Sequence, residues 1–254
     1  MAVVGRGKII VWEGASLWMF AAERGSAETE PHAHHAIQIT FALEGSFEIG
    51  CKGQWMSNPV VAVAADTKHI FRATGAAAHL FVEPDSAVGR ALSSLLFHDG
   101  QVVPVITKQA TSSLASLRAS FHAGLGSDDL LKVGQVTVHS LSAAVTPAIV
   151  DDRVVQMAAF ADTHLDGGVS LAAAASHVCL SPSRASHLFV ANTGLAFKTY
   201  LLWLRLRRAV ALYAGGCSLT EAAHEAGFAD SAHFSRTFRR TFGLSAISLR
   251  LVSS

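Results

Sequence analysis

Apolar and polar positions change their rhythm along this chain. From residue 8 to residue 83 the apolar positions come in short runs rich in Val, Ile, Phe and Trp: Lys8–Trp12, Ser16–Phe20, Ala36–Leu43, Ser46–Gly50, Val60–Ala64, His69–Arg72 and Ala78–Val82. Turn-forming residues separate them at Gly14, Glu44-Gly45, Asn58-Pro59 and Thr74-Gly75. Many short strands in series predict a β-sandwich or a small barrel. Residues 86–98 and 111–124 then take helical spacing, with Leu92, Leu95 and Leu96 on one stripe and Leu114, Leu117 and Phe121 on another. These helices are expected to cover the barrel or to form a dimer seam, and a third is expected over about 128–143. Val145–Ile149, with Pro147, reads as a linker. From Asp151 onward the spacing is helical almost to the end, with stops at Gly167-Gly168, Gly194, Gly215-Gly216, Gly227 and Gly243. The predicted fold class is α+β in two domains: residues 1–145, a linker at 146–150, and an all-α part over 151–254.

The richest local signal lies in Ser218 to Arg240. Ser218 and Glu221 have the spacing of a capping box, and Ala222, Ala223 and Ala226 give a small apolar face. Gly227 breaks that helix. A second helix from about Ser231 carries Phe234 and Phe238 on its core side and Arg236, Arg239 and Arg240 on or near the other. This is the layout of a helix-turn-helix whose second helix can lie in a DNA major groove. A weaker copy lies upstream. Ser170 caps a short helix through Ala175 and His177, Ser181-Pro182 starts the next one, Leu188 and Phe189 give it apolar contacts, and Gly194 ends it. Between the units, Phe197–Tyr213 forms an amphipathic rod carrying Leu201, Leu204 and Val210, with Arg205, Arg207 and Arg208 placed for phosphates. At 1.5 Å per residue it spans roughly 25 Å. Two reader helices at its ends could enter grooves roughly 34 Å apart. Trp203 is expected to pack, and Arg205 and Arg208 fit a solvated face as well as a phosphate contact.

The segment E-x-A-x-x-x-G-F-x-D-x-x-H-F-S-R-x-F-R-R-x-F-G, from Glu221 to Gly243, resembles the DNA-binding domain of the AraC/XylS family of bacterial transcription regulators. The likeness extends upstream through Ser181-Pro182, Phe189, Gly194, Tyr200 and Leu206-Arg207. It implies DNA contacts from Ser231, His233, Ser235 and Arg236 in the second reader, with Arg239 and Arg240 nearer the backbone. From the first reader it implies Ser183, Arg184 and His187; Arg205 and Arg208 on the rod between the readers remain the phosphate candidates read from its own residues. Its implied partners are double-stranded promoter half-sites and RNA polymerase, activation being the family's commoner mode; a homodimer is expected through the helices at 86–98 and 111–124, and the sequence leaves activator versus repressor and monomer versus dimer open. The sequence departs from the family at Cys179, where a turn glycine is usual, at His187 and Val190-Ala191, where basic residues are common, and at Ala246, where a proline usually stands. The second unit is therefore expected to read bases more than the first.

Bulk charge adds little. The 254 residues carry a net charge of +1. Residues 151–254 hold ten Lys/Arg against seven Asp/Glu, a net +3, which leaves −2 on residues 1–150. DNA affinity would rest on where the arginines sit. Cys51, Cys179 and Cys217 form no disulfide framework and no Cys-x-x-Cys pair. With no apolar signal region near the start and no apolar run of membrane length, the expected location is a reducing cytoplasm, without a membrane partner.

Residues 25–83 resemble a cupin barrel, the usual partner of this DNA-binding domain. Gly25, His32, His34, Gln38 and Gly45 follow the first cupin motif, with glutamine in the glutamate position. Ala64, Asp66 and His69 follow the second, with its proline and glycine replaced. The resemblance implies a candidate site of His32, His34, Gln38 and His69, binding either an organic effector or a divalent transition metal such as Zn, Ni, Fe or Cu. His32 and His34 are two apart, so on an extended segment they share a side, and Gln38 keeps that face. His35 is expected on the surface, His79 is a second pocket candidate, and Trp12, Trp18 and Trp55 are expected in the core. The leading reading is a regulator, not an enzyme. The alternative is a metal-dependent cupin enzyme whose helical domain serves assembly.

Overall fold

The computed structural model describes residues 5–143 and 150–251. Of the expected linker at 146–150, all but Val150 lies outside the described residues. Contacts divide the chain into two compact units. A sheet unit takes the described residues up to 143 together with 235–251, and a helical unit takes residues 150–234.

The sheet unit holds β1 (Gly5–Trp12), β2 (Ala15–Glu28), β3 (Ile37–Cys51), β4 (Gln54–Met56), β5 (Val60–Val63), β6 (Ile70–Val82), α1 (Ala87–Leu96), β7 (Val102–Pro104), α2 (Lys108–His122) and α3 (Ser127–Ser142). The sheet runs β7-β5-β3-β6-β2-β1 and ends on β8 (Leu249–Leu251), with β4 paired to β3. All pairings are antiparallel except β8 on β1.

The sequence predicted turns at Glu44-Gly45 and Thr74-Gly75. Both are instead crossing points inside long strands, where Gly45 faces Gly75 across the ladder beside a register shift. Both glycines have positive φ. A Cβ on Gly45 would stand 2.3 Å from the Thr74 carbonyl oxygen, and one on Gly75 would stand 2.7 Å from that of Glu44. The two glycines let β3 and β6 bend while staying paired.

The strands alternate with period two. On one face Leu17, Met19, Ile39, Phe41 and Leu80 pack against Leu92 of α1, Leu114 and Leu117 of α2, and Leu130 and Val138 of α3. These helices therefore cover the sheet. The other face carries Trp18 and Phe20 of β2, Gln38 and Thr40 of β3, and His79 and Phe81 of β6. Across the ladders Trp18 faces His79, Thr40 faces His79, and Gln38 faces Phe81.

The helical unit holds α4 (Asp152–Thr163), α5 (Leu171–His177), α6 (Pro182–Thr193), α7 (Phe197–Ala214), α8 (Leu219–Glu225) and the first turn of α9 (Ser231–Phe242). Its core gathers Met157, Ala174, Ala185, Phe189, Tyr200 and Leu204. Residues 235–242 of α9 count with the sheet unit, although the sequence assigned the whole helix to the C-terminal domain. Among the described residues, no helix is long and apolar enough to cross a membrane.

Candidate functional site: a histidine centre and a nucleic-acid interface

His32, His34 and His69 come together as the sequence proposed, by a different route. His32 and His34 lie ahead of β3 and not on a strand; His32 instead makes an isolated antiparallel bridge to His69. The two backbones exchange N–H···O bonds of 2.9 Å each way. All three rings are buried, and one nitrogen from each can be chosen so that the three lie within 4.8 Å of one another.

The backbone fixes their tautomers. Each Nδ1 faces a carbonyl oxygen: His32 that of Glu30 at 2.8 Å, His34 that of Ala36 at 3.0 Å, and His69 that of Thr67 at 2.8 Å. A carbonyl only accepts, so each Nδ1 carries the proton and each Nε2 keeps a lone pair. Burial and the neighbouring imidazoles favour this neutral state. Burial, with His69 beside it, lowers His32 to about 4, and His34 lies well below its ordinary value for the same reasons. Burial also lowers His69, whose Nε2 has no hydrogen-bond partner.

Gln38 extends the centre. His34 Nε2 lies 2.9 Å from one end of its amide, and Thr40 Oγ1 lies 2.9 Å from the other. Gln38 Oε1 stands at His34 Nε2 and Gln38 Nε2 at Thr40 Oγ1; since His34 Nε2 can only accept once its proton sits on Nδ1, the neutral ring is satisfied with the amide turned over, NH2 to the ring and carbonyl to Thr40. The Thr40 hydroxyl then donates to Gln38. His79 Nδ1, 3.1 Å from Thr40 Oγ1, in turn donates to that hydroxyl. His79 is left with a lone pair on Nε2. Burial lowers its pKa to about 3.

His35 is not the surface residue expected. It is buried, with Nδ1 2.8 Å from Asp66 and Nε2 3.4 Å from Asp85. Burial alone would lower its pKa, but the two carboxylates outweigh it and raise the pKa to about 9. Trp18 does lie in the core, where it helps to wall a pocket; Trp12 is half-buried beside Gly134 of α3, and Trp55 is exposed with the Arg72 guanidinium 3.9 Å from its ring centre.

That pocket lies on the sheet face opposite α1–α3. Its walls include Trp18, Phe20, Phe71, Phe81, Phe242 and Leu244, with His32, Gln38, His79, Thr29 and the exposed Glu28 as polar groups. Phe242 and Leu244 reach it because the C-terminal segment returns to the sheet. Glu30 N–H donates to the Gly243 carbonyl at 2.7 Å, and the Arg239 guanidinium forks onto the Glu30 carboxylate. Phe242 packs on Trp18 at 4.8 Å between ring centres. Gly243 has positive φ, and a Cβ there would stand 2.5 Å from His32 Nδ1 and 2.4 Å from the Glu30 carbonyl oxygen. Side-chain periodicity does not announce this return: Arg239 and Arg240 fit a DNA-reading helix and Gly243 its stop.

In the helical unit both turns form. Ser170 Oγ caps α5 by accepting from Ala173 N–H at 3.2 Å, and Ser181 Oγ caps α6 by accepting from Arg184 N–H, with Pro182 at the first position. Cys179 takes the left-handed conformation, φ 55°, that the missing glycine would have adopted, so the turn keeps its shape under strain. α6 buries Ala185, Phe189 and Thr193 and exposes Ser183, Arg184 and His187. The Ser218–Glu221 capping box forms, at 3.2 and 2.9 Å. After α8, Phe228 N–H closes the turn on the Ala223 carbonyl at 2.9 Å, and Asp230 caps α9 by accepting from His233 N–H.

Ser231, His233 and Ser235 are half-buried on α9, while Arg236 and Arg240 are exposed. Phe234 and Phe238 are buried, as expected. Arg239 is held by Glu30. On α7, Arg208 pairs with Asp166 at 2.6 Å and Arg207 with Asp162 at 2.7 Å. Arg205 lies along the Gly227 turn with its Nε buried and without a hydrogen bond. Phosphate contact by Arg208 would require its ion pair to open.

Residues 174–251 match a family described as a helix-turn-helix domain. The arabinose operon regulatory protein of Escherichia coli K12 is 33% identical over 102 residues, which cover 39% of this chain and 35% of that relative. Residues 174–251 thus form a helix-turn-helix domain similar to part of that regulator. The HTH-type transcriptional activator RhaS of Escherichia fergusonii is 38% identical over 101 residues, covering 39% of this chain and 36% of its own length. The match thus spans about a third of the length of each of these curated relatives. Beyond it, the crystal structure of ToxT from Vibrio cholerae O395 aligns over 91% of this chain and 94% of its own, at 13% identity and a TM-score of 0.57. Unsaturated fatty acid bound wild-type ToxT from Vibrio cholerae SCE256 aligns over 92% and 95%, at 12% identity and 0.57. These two likenesses establish a common fold of a sheet followed by a helical region.

Proposed function

We propose that this protein is a sequence-specific transcription regulator, an activator acting as a homodimer beside RNA polymerase, whose sheet unit senses an effector. The observation that carries the reading is the pair of capped helix-turn-helix units within the AraC-type domain, each with a polar, exposed side on its second helix. The matched relatives are transcription regulators and not enzymes. Gln38 in place of a carboxylate also speaks against the cupin-enzyme alternative. DNase footprinting of the region upstream of the gene is the test. Arg236→Ala should weaken binding about 10- to 100-fold and relax one position of the site, whereas Arg240→Ala should weaken all sequences alike and lower the salt slope. Binding with no sequence preference would overturn the reading.

The histidine centre fits a divalent transition metal as the effector or its anchor. Three neutral imidazoles offer lone pairs in one buried place, the His69 lone pair is unpartnered, and each ring is oriented by a carbonyl behind it, as metal-binding histidines are. His32, His34 and His69 would hold the ion once the Gln38 amide turns its NH2 away from His34 Nε2, which would also bring its carbonyl oxygen round as a neutral fourth donor. A bound ion would supply a positive charge in a place that holds none. In chelator competition with Zn²⁺ or Ni²⁺, His69→Ala is expected to lower affinity at least about 100-fold, above the loss typical of outer-shell changes. Unchanged affinity in both His32→Ala and His69→Ala would eliminate this ligand set.

A further inference from the structure

The pocket on the sheet's open face says what kind of organic molecule it can take, an inference that rests on the effector-sensing reading above. Its walls are aromatic and aliphatic: Trp18, Phe20, Phe71, Phe81, Phe242 and Leu244. Among the described residues, no Lys or Arg lines it, and the one lining carboxylate, Glu28, is exposed. A carboxylate or phosphate ligand would lose its hydration without gaining a counter-charge, and Glu28 would repel it. A cationic ligand would lose hydration too, because no buried carboxylate lines the pocket among the described residues.

The polar groups narrow the class further. The proton order from His34 through Gln38 and Thr40 to His79 leaves His79 Nε2 as an acceptor, and no described residue bonds to it. His32, also in the lining, keeps its proton on Nδ1 against Glu30, so its Nε2 is an acceptor as well. The pocket thus combines flat apolar walls with lone pairs that lack a donor. We infer that it binds an uncharged, flat, mainly apolar molecule bearing one O–H or N–H donor, of the phenol or indole class, with that donor on His79 Nε2.

Calorimetry on the full-length protein, in the presence of a chelator, tests this with four probes of one shape: 2-naphthol, naphthalene, 2-naphthoate and 2-naphthylmethylammonium. The expected order places 2-naphthol about tenfold or more ahead of each of the others, the worth of a hydrogen bond to a buried acceptor. His79→Phe should bring 2-naphthol down to the level of naphthalene and leave naphthalene unchanged. The wild-type series decides even if that variant does not fold. Tightest binding by either ion, or equal binding of 2-naphthol and naphthalene, overturns the ligand class and leaves the effector pocket standing. Failure of all four probes to bind overturns the pocket itself.

Discussion

Between pH 7 and pH 5 the sheet unit is expected to lose several kcal/mol of stability. His32 and His79 have folded-state pKa values lowered to about 4 and about 3. Both are neutral in the folded and unfolded states above about pH 6.5, so their neutral burial costs nothing there. Below that value the unfolded chain takes up protons that the folded one refuses, and stability falls by about 1.4 kcal/mol per pH unit for each group. At pH 5 that is up to about 2 kcal/mol each, and His34 and His69 act in the same direction. Against a typical domain stability of about 5–15 kcal/mol, this is a large share. His35 works the other way. Its pKa is raised to about 9, so its ion pairs with Asp66 and Asp85 contribute fully below pH 6.5 and are lost as pH rises through 9. A stability optimum near pH 6.5 follows. Urea unfolding with a chelator present, from pH 5 to 9, checks it. A flat profile between pH 5 and 7 would contradict the neutral imidazoles, and His79→Phe should remove its own part of the acid limb.

The second large effect lies in the helical unit. Phe189→Ala is expected to cost about 3–5 kcal/mol, the usual price of emptying a fully buried aromatic site. Phe189 is 0% exposed and meets Phe197 and Tyr200 edge-on, each at 5.1 Å between ring centres. It is what holds the back of α6, so its loss releases the helix that presents Ser183, Arg184 and His187. Footprints should shrink to the half-site read by α9, and thermal unfolding followed by circular dichroism should show an early helical transition. Val190→Ala on the exposed side of the same helix is the control, expected within about 0.5 kcal/mol of the wild type. Equal stability of the two variants would remove Phe189 from the core assigned to it.

The parts legible in the sequence were those governed by local rules. Ser181, Ser218 and Glu221 cap helices because their oxygens satisfy backbone N–H groups within three residues, and no distant partner is needed. Leu17 and Met19 against Trp18 and Phe20 mark two faces of one strand by alternation alone. What failed depended on distant partners. Glu44-Gly45 and Thr74-Gly75 look like turns until each pair is seen to face the other across the sheet. His35 looks exposed until Asp66 and Asp85, 31 and 50 residues on, arrive beside it. The histidine centre follows from the cupin resemblance, yet its tautomers come from the carbonyls of Glu30, Ala36 and Thr67, which no side-chain pattern encodes. β7 and β8, three residues each, are too short to show any period.

The return of the C-terminal segment to the sheet bears on how the protein can be dissected. A fragment cut at the sequence boundary near residue 150 would leave β1 without its parallel neighbour, an open edge prone to association. The same cut would strip Phe242 and Leu244 from the cavity wall. Compounds screened against such a truncated sensor would meet a half-built receptor, and weak hits there would say little about the intact polypeptide.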